Sequence, residues 1–312
     1  MAATPFFSIC IPVYKNVVFL KRLLDSVFEQ SFSDYEIVIT DDSPDNTVSE
    51  WLRENYTSSC IRYFKNPSSL GTPENWNEAI RQANGQWIKL MHDDDWFAEP
   101  DALEVFRQHI IAGNASFVFC DFYNVYLEEN NLKKLVTLSK TRWRKVKSYP
   151  GILYAKNIIG PPSVVVVKAE LAKQQLYDAS LKWLVDLDCY IRLMNGNKPV
   201  YIDKPLVCIG VGSTQVTTYT QLNPSVEIPE GLHLLAKLGN KAFNHILYYD
   251  AWWRLLRNLG IRDEQTLASF AGGRSIPEAL LKMVYWQRMI PQPVLRVGPA
   301  SKTLMFFSWL LH

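Results

Sequence analysis

The chain has 312 residues, 48% hydrophobic and 21% charged. That is an ordinary globular composition, and it excludes a disordered or low-complexity chain. The formal charge is only +2, and the five cysteines (Cys10, Cys60, Cys120, Cys189, Cys208) form no CxxC pair, so they read as small buried apolar residues in a reducing compartment and not as a disulfide framework.

The small net charge hides an asymmetry. Residues 231–312 carry ten Lys/Arg against four Asp/Glu, and residues 1–230 carry 23 against 27. The hydrophobic pattern changes at the same place, which predicts two domains, 1–230 and 231–312. No apolar run reaches 18 residues, so no transmembrane helix is expected. The chain enters an apolar run without a basic leader, so no secretory signal is expected.

In chain order, 6–13 reads as a buried strand. Residues 17–30 read as a helix with Val17, Leu20, Leu23, Leu24, Val27 and Phe28 on one face. A strand at 35–40 runs into Asp41-Asp42. A helix over 44–56, a strand at 61–64, a helix over 74–83, a strand at 87–91, a helix over 101–112 and a strand at 117–120 follow. This alternation predicts an α/β fold with a mostly parallel sheet covered by helices. Residues 125–150 are polar and basic, and read as an edge hairpin or a mobile loop. Then come a β-branched strand at 164–167, a helix over 184–194 and two short strands at 199–202 and 206–209. Residues 210–223, rich in Gly, Ser, Thr and Gln, read as a flexible loop over a site. Beyond 231 a helical stripe runs through Leu235, Leu238, Ala242, Ile246, Tyr249, Trp253 and Leu256.

The most informative segment is Trp87–Trp96, where an apolar strand ends in Asp93-Asp94-Asp95. Adjacent carboxylates repel unless a cation lies among them. Mg²⁺ or Mn²⁺, which takes one or two carboxylates and fills its remaining positions with water and phosphate, meets that need. Asp41-Asp42 lies at a second strand end, the part of an open α/β sheet where ligands bind. The plainer alternatives are a helix cap for Asp41-Asp42 and a solvated acidic turn for the triplet.

Residues 8–14, 36–47 and 87–96, with the lead-in Asn77–Ile80 and Ala83–Ile88, resemble family 2 glycosyltransferases of the GT-A fold. Residues 178–209 resemble the acceptor-side segment of that family, so the likeness covers about 6–215. It implies a GT-A catalytic domain with a nucleotide-sugar half at about 1–125 and an acceptor half at about 126–230. The implied reaction moves a sugar from a nucleotide diphosphate to an acceptor hydroxyl, with inversion. The resemblance assigns Pro12, Val13, Tyr14, Asp41, Asp42, Asn77 and Asp93 to the donor. It makes Asp94 the best metal ligand, with Asp93 or Asp95 assisting. The family places an acid where this chain has His92, which offers a donor to the metal or to a phosphate oxygen; a lone histidine beside a strand is more often packed. The acceptor proton goes to Asp186, with Asp188 the second choice; both also suit a helix N-terminus. Asp188 lies four residues before Arg192, the spacing of a helical ion pair. Many relatives carry a histidine near 210–215; here Ser213, Thr214 or Gln215 would have to replace it. Gly160-Pro161-Pro162-Ser163 reads equally as part of the acceptor cleft or as a rigid turn.

The C-terminal segment holds Trp252, Trp253, Tyr285, Trp286, Phe306, Phe307 and Trp309. It suits a membrane interface, a helical cap or a dimer contact. With the resemblance, it implies a bacterial enzyme of cell-surface polysaccharide or lipid-linked oligosaccharide synthesis, cytoplasmic or peripheral at the inner face of the membrane. A nucleotidyltransferase is disfavoured because Ile11–Asn16 contains no glycine. A non-catalytic binding subunit of a synthase is disfavoured by Asp94 and Asp186. No nucleic-acid module is present.

Overall fold

The computed structural model describes residues 4–212 and 222–312. Ser213, Thr214 and Gln215, and with them most of the expected loop, lie outside the described residues. The chain forms two compact units. The first comprises Met1–Lys147, Ile158–Ser180 and Asp188–Ser213, and the second Ser148–Asn157, Leu181–Leu187 and Thr214–His312.

The first unit is built on a nine-stranded sheet. Its strands are β1 (Phe7–Val13), β2 (Tyr35–Asp41), β3 (Ile61–Lys65), β4 (Trp87–Leu90), β5 (Trp96–Phe97), β6 (Phe117–Tyr126), β7 (Leu132–Val136), β8 (Val165–Lys168) and β9 (Pro199–Val211). The spatial order is β3-β2-β1-β4-β8-β6-β9-β5, with β7 paired to β6. Pairings among β3, β2, β1 and β4 are parallel. The rest of the sheet is mixed: β6–β9 is parallel, and β8, β7 and β5 run antiparallel to their neighbours. All seven residues of β1 are buried, as a central parallel strand covered on both faces requires. The connecting helices are α1 (Val17–Phe28), α2 (Thr47–Asn55), α3 (Glu74–Gln82), α4 (Ala102–Gly113), α5 (Lys140–Ser148) and α6 (Ala169–Gln174). Leu20, Leu23, Leu24 and Val27 are the buried apolar positions of α1. The polar stretch at 125–150 resolves into the β6–β7 hairpin and α5.

Two expectations are corrected. Residues 199–211 form one strand, not two. Its pairing with β6 shifts register between Cys120 and Phe122, opposite Ile202, Pro205 and Val207. A proline lacks the amide that the ladder needs, and a bulge accommodates it without ending the strand. The C-terminal stripe is not one helix. It breaks at Gly239, whose φ is +76°, and at His245, which caps the next helix.

Helix α7 (Val185–Met194) begins in the second unit and continues in the first. The second unit is otherwise helical: α8 (Pro224–Leu238), α9 (Ile246–Leu259), α10 (Glu264–Phe270), α11 (Glu278–Arg288), α12 (Gln292–Arg296) and α13 (Gly298–Leu310). Tyr248, Tyr249, Trp252 and Trp253 of α9 are fully buried at its centre. Of the C-terminal aromatics, then, the two adjacent tryptophans are core, and Tyr285, Phe306 and Phe307 are exposed. Among the described residues no helix is long and apolar enough to cross a membrane.

Candidate active site

The C-terminal ends of β1, β2 and β4 lie side by side in the sheet. Strand β4 ends at Leu90, and the Met91 amide still bonds to the Cys10 carbonyl at 2.9 Å. The chain then turns through 92–95 and re-enters the sheet as β5, antiparallel to β9. This two-residue strand closes the acidic segment into a tight loop, which the apolar pattern of the sequence did not show.

Within that loop, His92, Asp94 and Asp95 each offer one donor atom, and these atoms lie within 4.8 Å of one another. Asp93 is not part of that grouping. Asp95 is almost fully buried; its Oδ1 accepts the Gly210 amide at 3.0 Å. Burial, reinforced by Asp94, pushes its carboxyl well above the usual range. The Asp93 carboxyl is pushed up to about 7, mainly by burial and then by Asp94, although the Tyr14 amide bonds to it. Burial lowers the His92 imidazole, favouring its neutral form. A cluster of this kind resists ionisation until a cation enters it. Nitrogen and oxygen donors within one small space fit a divalent ion.

Four residues that sequence reasoning did not single out individually hold this loop. The Arg22 guanidinium donates to the Asp94 carbonyl at 2.6 Å and lies 3.8 Å from the centroid of the Trp96 ring. Ser163 is fully buried; its Oγ accepts the His92 amide at 2.9 Å, and its carbonyl accepts the Lys89 ammonium. Lys89 is itself wholly buried against Phe106 and Phe97, and burial pulls its ammonium down to about 8. Gly210 passes so close that an added Cβ would collide with the Asp94 carbonyl oxygen. Ser163, Lys89 and Gly210 fall within segments that the sequence ties to a site, though not for these contacts; Arg22 does not. All four reveal their roles only through contacts some 70 or more residues away in the chain.

Gly210→Ala should therefore displace the acidic loop. The expected cost is about 1–3 kcal/mol, as for other overpacked sites, together with weaker Mn²⁺ binding. Urea melts and metal titration check this, and unchanged values in both would show that the close approach is dispensable.

The donor-side residues behave differently from one another. Pro12 and Val13 are buried at the end of β1, and Tyr14 is 54% exposed. Asp41 accepts the Ser43 amide (2.8 Å), the Tyr63 hydroxyl (2.6 Å) and the Lys65 ammonium (3.1 Å). Asp42 gathers the 69–71 loop: Oδ1 accepts Asn66 and the Leu70 amide, and Oδ2 the Gly71 amide and the Ser69 hydroxyl. With roughly four acceptor positions per carboxylate, both acids are heavily engaged within the fold. Asn77 spends its amide on Glu74 and on both backbone groups of Tyr177. It thereby fixes Tyr177, whose ring packs edge-on against Trp76.

In the second unit Asp186 lies in the first turn of α7. Its Oδ2 accepts from Asn157 at 2.9 Å. Burial pushes its carboxyl up to about 6, against the opposing pull of its own and the Leu187 amides and of Asn157. Glu230, another residue missed in the sequence, accepts the amides of Lys182 (2.7 Å), Trp183 (2.9 Å) and Leu184 (2.9 Å). One buried carboxylate thus fixes the three residues that lead into α7. Asp188 is fully buried and pairs with Arg192 at 2.8 Å, as the i,i+4 spacing predicted.

The model of Glycosyl transferase family 2 matches residues 8–161. Residues 8–161, just under half of this chain, belong to that family. A relative from Campylobacter jejuni, GalNAc(5)-diNAcBac-PP-undecaprenol beta-1,3-glucosyltransferase, is 32% identical over 133 residues, covering 42% of this chain and 41% of its own length. The chain spans 63–66% of the length of the first three curated relatives it matches. Two solved structures share the fold. S. aureus TarS 1–349 in complex with UDP-GlcNAc has a TM-score of 0.57 at 14% identity, over 96% of this chain and 90% of that one. Mannosyltransferase PcManGT from Pyrobaculum calidifontis, in complex with GDP-Man and Mn²⁺, has a TM-score of 0.57 at 15% identity, over 99% and 87%. The fold is GT-A.

Proposed function

We propose that the chain transfers a glycosyl group from a nucleotide-diphosphate sugar to a hydroxyl of a cell-surface polysaccharide or lipid-linked oligosaccharide, inverting the anomeric carbon. The observation that carries this reading is the acidic loop after β4, which gathers the donor atoms of His92, Asp94 and Asp95 beside the ends of β1 and β2. The family match and the nucleotide sugars bound by the two solved neighbours support it. The relative acting on an undecaprenol-linked glycan supports the acceptor class.

In this reading Asp94 and Asp95 would hold Mn²⁺ or Mg²⁺, which when bound would neutralise charge on the departing diphosphate. Arg22, Ser163 and Gly210 keep the two carboxylates in place. The end of β1 and the Asp41–Asp42 turn, with the 69–71 loop that Asp42 organises, form the nucleotide side. Asp186 takes the acceptor proton. A carboxyl near 6 is ionised at neutral pH and is a stronger base than an ordinary aspartate. The acceptor oxygen bonds to the anomeric carbon as the carbon–phosphate-oxygen bond breaks, and that electron pair leaves with the diphosphate. The transition state has oxocarbenium character. Asp188, paired with Arg192, steadies α7.

The test uses UDP-GlcNAc and GDP-Man as donors and water as acceptor, followed by ¹H NMR before mutarotation. The first free sugar should have the anomeric configuration opposite to the donor. Retention would contradict the single displacement. If neither donor turns over, the non-catalytic binding reading gains.

The same reading places the chain at a membrane surface. Phe306, Phe307, Leu310 and Leu311 are exposed. Lys302, Phe306 and Leu310 follow at four-residue spacing along α13, and residues 279–312 contain four Lys/Arg and no Asp/Glu. An apolar face with basic residues matches an anionic lipid interface. The chain should sediment with vesicles containing phosphatidylglycerol, and the double variant Phe306→Ser, Phe307→Ser should stay in the supernatant. Equal sedimentation of both proteins would rule this face out.

A further inference from the structure

The residue at the head of the acidic loop is a histidine where the family pattern has an acid. Its surroundings in the structure go beyond those of a packed ring. The His92 amide is bound to Ser163 Oγ, and its ring lies 4.6 Å from the Trp76 ring at an interplanar angle of 37°. Trp76 is braced in turn by Tyr177, 5.2 Å away and nearly perpendicular. The imidazole is therefore held in one place. Nε2 is buried without a hydrogen-bond partner among the described residues, and Nδ1 is 4.0 Å from Asp95 Oδ2, beyond hydrogen-bond reach. A histidine that only fills space commonly satisfies its buried nitrogens within the fold, because an orphaned one costs free energy. Here a ring nitrogen is a candidate donor of the same group as the Asp94 and Asp95 carboxylates.

We propose that His92 is a direct nitrogen ligand of the metal, and that it makes this site select Mn²⁺ or Co²⁺ over Mg²⁺. The proposal rests on the metal-assisted reading above and sharpens it. Replacing a carboxylate by a neutral imidazole removes one negative charge and one hard oxygen. Mg²⁺ depends on oxygen donors, whereas imidazole suits the transition metals, with affinity rising from Mn²⁺ to Co²⁺. The Trp76 stack fixes the ring plane, the role that outer-shell partners play for metal-bound histidines.

The experiment is pulsed electron paramagnetic resonance of the full chain with Mn²⁺ and inorganic pyrophosphate, a nitrogen-free stand-in for the diphosphate. The expected spectrum shows modulation from a directly bound ¹⁴N, which changes to the ¹⁵N pattern when the protein is grown on ¹⁵N-histidine. His92 is the only histidine among the described residues that belongs to such a cluster, so the isotope switch alone identifies it. His92→Gln should remove the signal. His92→Asp should narrow the Mn²⁺-over-Mg²⁺ affinity ratio by about tenfold. Bound Mn²⁺ without histidine nitrogen would overturn the proposal and leave the metal–diphosphate site standing. Failure of Mn²⁺ to bind at all would overturn both.

Discussion

Asp186→Asn is expected to abolish transfer while leaving donor binding intact. Asparagine preserves the shape and the contact with Asn157, but it cannot take a proton. General-base catalysis by a positioned carboxylate contributes on the order of 10²–10⁴-fold, so kcat should fall by about that factor with little change in donor affinity. The pH profile is a second readout. The base works only when ionised, so wild-type turnover should fall as pH drops through about 6, the value to which burial lifts Asp186, and level off above it. The variant should lack this limb. Normal transfer by Asp186→Asn would remove Asp186 from the mechanism. Glu230 would be examined next, because it anchors the residues just before Asp186.

Asp94→Ala is expected to act on the other half of the reaction. Mn²⁺-dependent binding of a nucleoside diphosphate should weaken by about 100-fold or more, as when a metal ligand or its support is removed. The metal-free protein should respond in the opposite sense. Asp93 and Asp95 are held above their ordinary range partly by the Asp94 charge. Between about pH 4 and 7 the folded state therefore binds more protons than the unfolded chain, and metal-free stability falls as pH rises through that window. Removing Asp94 should flatten this fall and leave the metal-free fold as stable or more stable at pH 7. Denaturant melts at pH 5 and pH 7, with a chelator present, measure the difference. A variant that kept full Mn²⁺-dependent binding would show that the ligands are elsewhere.

Much of this was legible in the sequence for a physical reason. Buried parallel strands such as β1, β2 and β4 write themselves as apolar runs, and the acids that end β2 and β4 stand out because the runs stop there. Features made by distant contacts left no local mark. Arg22 sits at a half-buried position of α1, and nothing nearby indicates that it bonds to the Asp94 carbonyl. Lys89 looks like a polar interruption of a strand until the Ser163 carbonyl and two phenylalanine rings are seen around it. Strand β9 read as two pieces because Asp203-Lys204-Pro205 interrupts its apolar pattern, and the bulge against β6 is what lets it continue. The break of the C-terminal stripe at Gly239 was signalled by the glycine itself, but the apolar spacing on either side masked it. His92 reads in the sequence as either a ligand or a packed ring, with packing the more common, since the sequence cannot show an orphaned nitrogen.

The central claim is that the loop after β4 is a metal–diphosphate site. The most direct measurement is the melting temperature of the chain with UDP, dTDP, GDP or CMP, each with and without Mn²⁺. A ligand that binds only the folded state raises the midpoint by mass action. The account predicts a rise with at least one nucleoside diphosphate, present only when Mn²⁺ is added and lost in Asp94→Ala. A rise that is the same without Mn²⁺, or no rise with any of the four, would contradict it.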